Sequence, residues 1–434
     1  MKNKHNISRR KFIKNTAGAA ALFTVPTIIP ASAFGSNDKI QVAVLGVNGR
    51  GKDHIKGFQR LENAQVVYLC DPDKNVLAER SADFEKTYSK KVQVEQDMRK
   101  IFDNKKIDAV SVATPNHWHT LAAIWAMQAG KDVYVEKPGS HTIFEGRMLI
   151  EAAKKYKRVF QHGVQLRSSV AIQEAIKHLR DGLIGNVYMA RGLVFKWRPD
   201  IGDKGTEPVP EGLDYDLWTG PAEMRPFSRN YVHYNWHWHW NYGDGDVGNQ
   251  GIHETDLCMW GLDVGLPEKI TSIGGKFLWD DAKETPEVLT SNYHYPSQKK
   301  MIEFEVRPWN TNKEDGTGIG NIFYGSEGYM VVDGYNKYST FLGKERTPGP
   351  TRKEGGDHYK NFVDAVVAKN PSLCNGQVET AHLSSGLAHL GNIAYRVGRV
   401  LTFDPKTERF VGDDEADQLL TRTYREPFVV PSQV

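Results

Sequence analysis

The sequence predicts an α/β protein whose first domain is a Rossmann-type, doubly wound parallel sheet, and three observations carry that prediction. Short apolar, β-branched runs recur through the first half of the chain, with helical stretches of about 10–15 residues between them. The first of these runs passes straight into a glycine-rich turn. An acidic residue closes the second run, twenty residues beyond the last glycine of that turn (Gly51 to Asp71). At 434 residues the chain has room for two or three domains.

In chain order, residues 1–33 read as a leader. Ser8-Arg9-Arg10-Lys11-Phe12-Ile13-Lys14 is followed by a mild apolar run from Thr16 to Pro30 and by the small-x-small site Ala31-Ser32-Ala33. The paired arginines fit a twin-arginine export signal. The apolar run is about 15 residues long and holds Pro26, short of the ~20 that a membrane span needs. The expectation is a periplasmic protein of 401 residues, delivered by the twin-arginine machinery. Lys and Arg total 56 against 53 Asp and Glu, a net charge of +3, so no basic face for nucleic acid is expected. Cys70, Cys258 and Cys374 are too scattered for a disulfide framework or a metal site.

Ile40–Leu45 is the first predicted strand, and it runs into Gly46-Val47-Asn48-Gly49-Arg50-Gly51 and a helical stretch from Lys52 to Leu61. Gln65–Cys70, Ile107–Ala113, Asp132–Glu136 and Arg158–Val164 are the later strands of a domain spanning residues 38–165. The loop fits the G-x-G-x-x-G dinucleotide pattern with Asn48 in the second glycine's place. Asn tolerates a left-handed backbone, and Gly49 beside it can share the task. Backbone N–H groups there hold a pyrophosphate at the helix start. Asp71 accepts hydrogen bonds from a ribose and repels a 2′-phosphate, which favours NAD, while Arg50 keeps NADP open.

Two further strand ends, Ala113-Thr114-Pro115-Asn116-His117-Trp118-His119 and Val135-Glu136-Lys137-Pro138, face the ligand crevice of such a sheet. With the glycine loop, they resemble the Gfo/Idh/MocA family, most of whose members act on sugars or cyclitols. That resemblance implies a second α/β domain, residues 166–401, whose open, mostly antiparallel sheet covers the nicotinamide. It places Thr114, Asn116 and His117 along the cofactor, with Gln165 at the domain junction among the cofactor residues. Glu136 and Lys137 fall near the nicotinamide, with Lys137 on the reacting hydroxyl. A lysine at a buried sheet mouth can also exchange a proton with an alcohol on physical grounds alone.

In the second half, Tyr231-Val-His-Tyr-Asn-Trp-His-Trp-His-Trp-Asn-Tyr242 alternates aromatics with His233, His237 and His239. It reads as a carbohydrate pocket in which Trp236 and Trp238 stack on sugar faces, as a buried aromatic segment or subunit contact, or as a strand presenting His237 and His239 to a metal. Metal is the weakest of the three, and none is expected. The following H-x-x-D pattern, His253 to Asp256, resembles the family's acid/base motif. Asn249 stands where the family commonly has aspartate, so Asp246 or Asp256 would have to replace that carboxylate. Tyr234 and His237 are candidates for a further acid/base, and Trp197 and Arg198 for substrate contacts. Asp357–Phe362 starts a helix, a helix from Glu379 to Leu401 packs back on the cofactor domain, and residues 402–434 form an extended tail. The family's open sheet often pairs subunits, so a homo-oligomer is compatible with the resemblance.

Outside the cytoplasm there is no nicotinamide pool, so the cofactor must stay bound and return to its starting state in each cycle. The expectation is an NAD-dependent oxidoreductase acting on a sugar or glycoside ring hydroxyl. The alternatives are an NAD-dependent glycosidase that oxidises, eliminates, hydrates and reduces, and a non-catalytic sugar-binding protein.

Overall fold

Five of the six residues of the first strand, Ile40–Leu45 (β1), are buried, as a central parallel strand requires. The computed structural model describes residues 39–309 and 312–434; the leader lies outside them. After β1 come α1 (Gly51–Gln59), β2 (Ala64–Cys70), α2 (Lys74–Tyr88), β3 (Gln93–Glu95), α3 (Met98–Asp103), β4 (Ala109–Val112), α4 (Asn116–Gln128), β5 (Asp132–Glu136), α5 (Ile143–Tyr156) and β6 (Phe160–Gly163). The six strands are parallel in the order β3-β2-β1-β4-β5-β6, the doubly wound arrangement. The short, half-exposed β3 has no apolar run and carries no sequence signal.

The second domain opens with α6 (Val170–Arg180) and β7 (Val187–Phe195), then an irregular stretch holding the one-turn helix α7 (Tyr215–Thr219), and α8 (Ile252–Leu262). Strands β8 (Lys269–Gly275), β9 (Val288–Tyr295), β10 (Lys300–Arg307), β11 (Ile319–Gly325), β12 (Gly328–Asp333), β13 (Lys337–Leu342) and β14 (Thr347–Lys353) follow. They form a sheet with the order β14-β13-β12-β11-β7-β10-β9-β8, in which β7 and β10 pair in parallel and the other neighbours are antiparallel. The sheet is thus mixed and mostly antiparallel. Helices α6 and α8 and a later helix, Val378–Val397, pack on its inner face over Ile302, Phe304 and Tyr293.

Two segments fall elsewhere than their position in the chain suggests. Helix α9 (His358–Ala368), capped by the Asp357 carboxylate on the Lys360 N–H at 3.0 Å, packs into the Rossmann core. Its Tyr359 ring stacks on Tyr134 at 5.3 Å, and Phe362 closes on Phe58. Helix α10 (Val378–Val397) is wedged between α5 and the second sheet. The expected extended tail adds β15 (Leu401–Asp404), β16 (Arg409–Phe410) and α11 (Asp414–Gln418) to the far edge of the second sheet. Its last residues return to the first domain, where Phe428 is buried against Trp118 and Trp125. Burying Phe428 and Val430 removes enough apolar surface to hold the segment down.

Candidate active site

A cleft of about 290 Å³ runs along the carboxyl ends of β1, β2, β4 and β5, from Asp71 at one end to Lys137 and Asn249 at the other. Its floor is the glycine loop. Gly46 has a φ of +79°, and a Cβ there would lie 2.7 Å from the Ala113 carbonyl oxygen. A Cβ on Gly51 would lie 2.0 Å from the Gly46 carbonyl oxygen, so this glycine lets α1 start against the strand. Asn48 does not adopt the left-handed conformation that its place in the pattern suggested; within the loop only Gly46 does. Asn48, Gly49 and Arg50 line the cleft. The open glycine cradle and the helix start behind it suit a pyrophosphate.

Asp71 accepts the Val47 N–H at 2.9 Å and the Asp73 N–H at 3.2 Å, and burial pushes its carboxyl up to about 6. The Arg50 guanidinium donates to Glu136 at 2.9 Å and to Asp53 at 2.8 Å.

At the other end, Glu136 is the hub that positions Lys137. Its carboxylate accepts from Arg50 and from Gln165 Nε2 at 2.9 Å, and lies 3.0 Å from buried His54, whose other ring nitrogen is 2.6 Å from Ser111 Oγ. Despite burial, the Arg50 charge and the His54 bond hold Glu136 well below the usual carboxylate range. Gln165 therefore sits behind the cleft as a support and does not line it. Lys137 donates its ammonium to the Asn249 carbonyl, and burial brings its pKa down to about 8 even with Glu136 alongside. Behind it, the Gly139 N–H donates to Ser385 of α10 at 2.9 Å.

Asn249 and His253 lie four residues apart across the π-turn Val247–Gly251 and the start of α8, on one face of that helical run. Asn249 lines the cleft, whereas His253 is buried behind it with its ring 4.9 Å from Tyr335. His253 Nδ1 has no partner among the described residues, and burial, with the Lys137 charge adding, pushes its pKa down to about 3. Neither proposed replacement carboxylate is free. Asp246 accepts from Arg198 Nε at 2.8 Å and Asp256 from Arg167 Nε at 2.7 Å.

The aromatic–histidine run is not a strand. Asn235–Trp238 makes a single 3₁₀ turn, and the segment from Tyr215 to Tyr242 packs round its own small core of Trp218, Phe227 and Tyr242. It lies over the start of α4 as a cap. Asn116 Nδ2 donates to Asp244 at 2.9 Å and Trp118 Nε1 to the Leu217 carbonyl at 3.0 Å. His117, expected along the cofactor, is turned away from it, its ring nitrogens 3.1 and 3.4 Å from the carbonyls of Trp218 and Tyr242. Thr114, Asn116, Tyr234, Trp236 and His237 line the cleft. His237 Nδ1 is 2.6 Å from the Tyr234 carbonyl, and its ring stacks on Trp236 at 3.6 Å. Three expected substrate contacts lie elsewhere. Trp238 is buried under the Arg198 guanidinium, Arg198 is spent on Asp246, and Trp197 packs on Trp309 at 4.2 Å. His239 is buried beside Glu284, so it shares no face with His237, and no group of three or more His, Cys, Asp or Glu among the described residues is placed to hold a metal.

Sequence reasoning missed several cleft residues. Trp118 and His119 belong to the same motif as Asn116, and His119 ties the ends of β4 and β5 together, 2.8 Å from the Thr114 carbonyl and 2.6 Å from that of Pro138. His233, from the aromatic–histidine run, lines the cleft too, as do Arg99 and Phe428, which nothing local in the sequence marks.

Together, a dinucleotide-binding parallel sheet and a second domain closing over its nicotinamide end define a two-domain NAD-binding oxidoreductase class. The chain belongs to the Gfo/Idh/MocA oxidoreductase family: residues 40–164 match its NAD-binding Rossmann fold, and residues 169–296 and 344–430 its C-terminal alpha/beta domain. Among curated proteins it is 29% identical over 177 residues to a glycosyl hydrolase family 109 protein of Shewanella baltica, covering 36% of this chain and 38% of that protein. It is 28% identical over 165 residues to the levoglucosan dehydrogenase of Pseudarthrobacter phenanthrenivorans, covering 37% and 42% of the two chains. The matched stretches thus span well under half of these relatives. Among solved structures it shares its fold with an aldose-aldose oxidoreductase from Caulobacter crescentus (TM-score 0.63, 18% identity, 84% of this chain and 100% of that one). The WlbA dehydrogenase from Bordetella pertussis, in complex with NADH and UDP-GlcNAcA, gives a TM-score of 0.63 at 19% identity, covering 84% of this chain and 99% of that one.

Proposed function

We propose that the protein oxidises a ring hydroxyl of a sugar or glycoside with an NAD that it retains through the cycle, and that it works after export to the periplasm. The observation that carries this reading is Lys137, an amine brought to about 8 at the inner end of an NAD cleft whose wall there is Tyr234, Trp236 and His237. When bound, NAD would accept the hydride and later give it up, to a second sugar or an external electron acceptor in the oxidoreductase cycle and back to the same ring in a glycosidase cycle. Lys137 takes the proton of the reacting hydroxyl in its neutral form and returns it as an ammonium. Asn249 fixes the amine through its carbonyl, and Glu136 keeps a compensating negative charge beside it. His253, held neutral by burial, offers a hydrogen bond to the same end without adding charge. Asp71 and the glycine loop hold the adenosine side. The cap from Tyr215 to Tyr242, anchored on α4, supports retention of the cofactor, as a compartment without free nicotinamide demands.

The glycosidase reading is favoured by one observation. With Nδ1 directed at the Tyr234 carbonyl, His237 presents an unprotonated Nε2 to the cleft as a second base. Such a base can remove the proton made acidic by ketone formation, so that the glycosidic oxygen leaves, water adds, and the ketone is reduced.

Protein purified without added cofactor is denatured, and the released nucleotide is identified by mass spectrometry. Native protein is then incubated with aryl glycosides and free sugars. Stoichiometric NAD with a keto-sugar is the expected result, and aglycone release without added acceptor would establish the hydrolytic cycle. Protein that carries no nucleotide and binds none would sink both readings.

A further inference from the structure

A second cleft, of about 850 Å³, opens at the domain junction on the other side of the cap, within the size range of small-molecule sites. One wall is a single face of α10, where His389, Asn392, Ile393 and Arg396 recur at helical spacing; the other is the irregular returning segment of residues 419–425. Four arginines line it. Arg225 is paired with Glu284 at 2.7 Å and Arg425 with Asp216 at 2.5 Å. Arg396 and Arg422 have no carboxylate within ion-pair distance among the described residues. Arg396 lies over the Trp240 ring, 5.4 Å from its centroid, and Arg422 donates to His141 Nδ1 at 2.7 Å and to the Asn241 carbonyl at 3.1 Å, which aims both without neutralising either.

Of the acids in the lining, Glu223 is exposed at the rim. Asp244 is buried, its oxygens committed to Asn116 at 2.9 Å and to the neighbourhood of His389 at 3.4 Å and His141 at 3.8 Å. In the floor, Asn392 is 5% exposed; its Nδ2 donates to the Asp244 carbonyl at 3.0 Å, while its Oδ1 has no partner among the described residues. Two guanidinium groups with no direct ion pair, though Glu284 and Asp244 lie near Arg396 and Glu145 near Arg422, select an oxyanion, and an orphaned buried amide oxygen selects a hydroxyl or N–H donor.

We infer that this cleft is a second ligand site, separate from the NAD cleft, for a hydroxylated carboxylate of the acidic-sugar class. The carboxylate sits between Arg396 and Arg422, and a ring hydroxyl donates to Asn392 Oδ1.

Calorimetric titration of the NAD-loaded full chain with glucuronate at low salt tests this. Glucuronate is expected to bind at one site, at least tenfold more tightly than glucose or inorganic sulfate. R396Q and R422Q should each weaken it at least tenfold while keeping their bound NAD, and K137A should leave it unchanged. Arg396 is exposed, so R396Q keeps the test informative even if R422Q fails to fold. Binding that survives R396Q, binding that disappears in K137A, or glucose or sulfate binding as tightly as glucuronate would each overturn the assignment.

Discussion

The floor and the cap of the NAD cleft are built by different physics. The floor hangs on the ends of buried parallel strands, so each functional residue follows a run whose burial already sets its direction. Lys137 directly follows β5, and Gly46 directly follows β1. The cap has almost no regular structure. It is held by side-chain bonds to carbonyls about a hundred residues away in sequence, as from Trp118 to Leu217 and from His117 to Trp218. Function-bearing side chains on strands are therefore placed by local pattern, and those in the cap by distant partners.

The largest expected effect separates chemistry from placement. K137A should lower turnover by about 10³-fold with bound NAD unchanged, read by single-turnover assay and nucleotide content. Loss of NAD in parallel would mean that the floor, not the proton, depends on this lysine. Within the floor, G46A must place a Cβ against the Ala113 carbonyl at positive φ, and should cost about 2–4 kcal/mol and empty the cleft of NAD. G49A, with nothing within 4 Å, should change stability by less than ~0.5 kcal/mol, both variants being compared by urea denaturation.

The cap is probed outside the cleft lining by H117A, which removes the imidazole's bonds to the Trp218 and Tyr242 carbonyls and leaves them only the Trp118 indole and the residue 117 backbone N–H. NAD should dissociate about tenfold faster, with little change in the chemical step. A nucleotide exchange rate equal to that of the unaltered protein would detach the cap from retention.

Two pH effects are smaller. Below about pH 8 both folded and unfolded chains keep the Lys137 proton; between 8 and 10.5 only the unfolded chain keeps it, so this residue makes stability rise with pH across that window. K137M should be more stable by about 1–3 kcal/mol at pH 7 and lose that rise in urea titrations. Asp71 behaves oppositely as a site: protonation below about 6 removes an acceptor, so NAD affinity should fall several-fold between pH 7 and 5. A flat profile would mean that the ribose does not use this carboxylate.

The contrast between floor and cap also explains what was legible. The strand Asp132–Glu136 and the helix near 378–397 were readable because apolar periodicity follows burial. Asn48 was misjudged because a glycine pattern shows which positions tolerate a left-handed backbone and not which one uses it. His117 was placed on the cofactor because it sits in the right motif, yet on a helix adjacent residues point about 100° apart, so Asn116 lines the cleft and His117 holds the cap. Trp197 and Arg198, read as substrate contacts from a family-like segment, and Trp238, from the aromatic run, were claimed instead by an ion pair with Asp246, by two other tryptophans and by the Arg198 guanidinium.

By itself the sequence determined the parallel sheet, the glycine cradle, the acid at Asp71 and the lysine at the sheet mouth. Each of these depends on a short window in which side-chain period and turn chemistry act on neighbours along the chain. Tertiary structure alone decided that α9 and Phe428 complete the first domain, that Arg50 serves Glu136, and that the aromatic run is a cap. These depend on which buried polar group finds which partner, a matter of three-dimensional satisfaction that no local window contains.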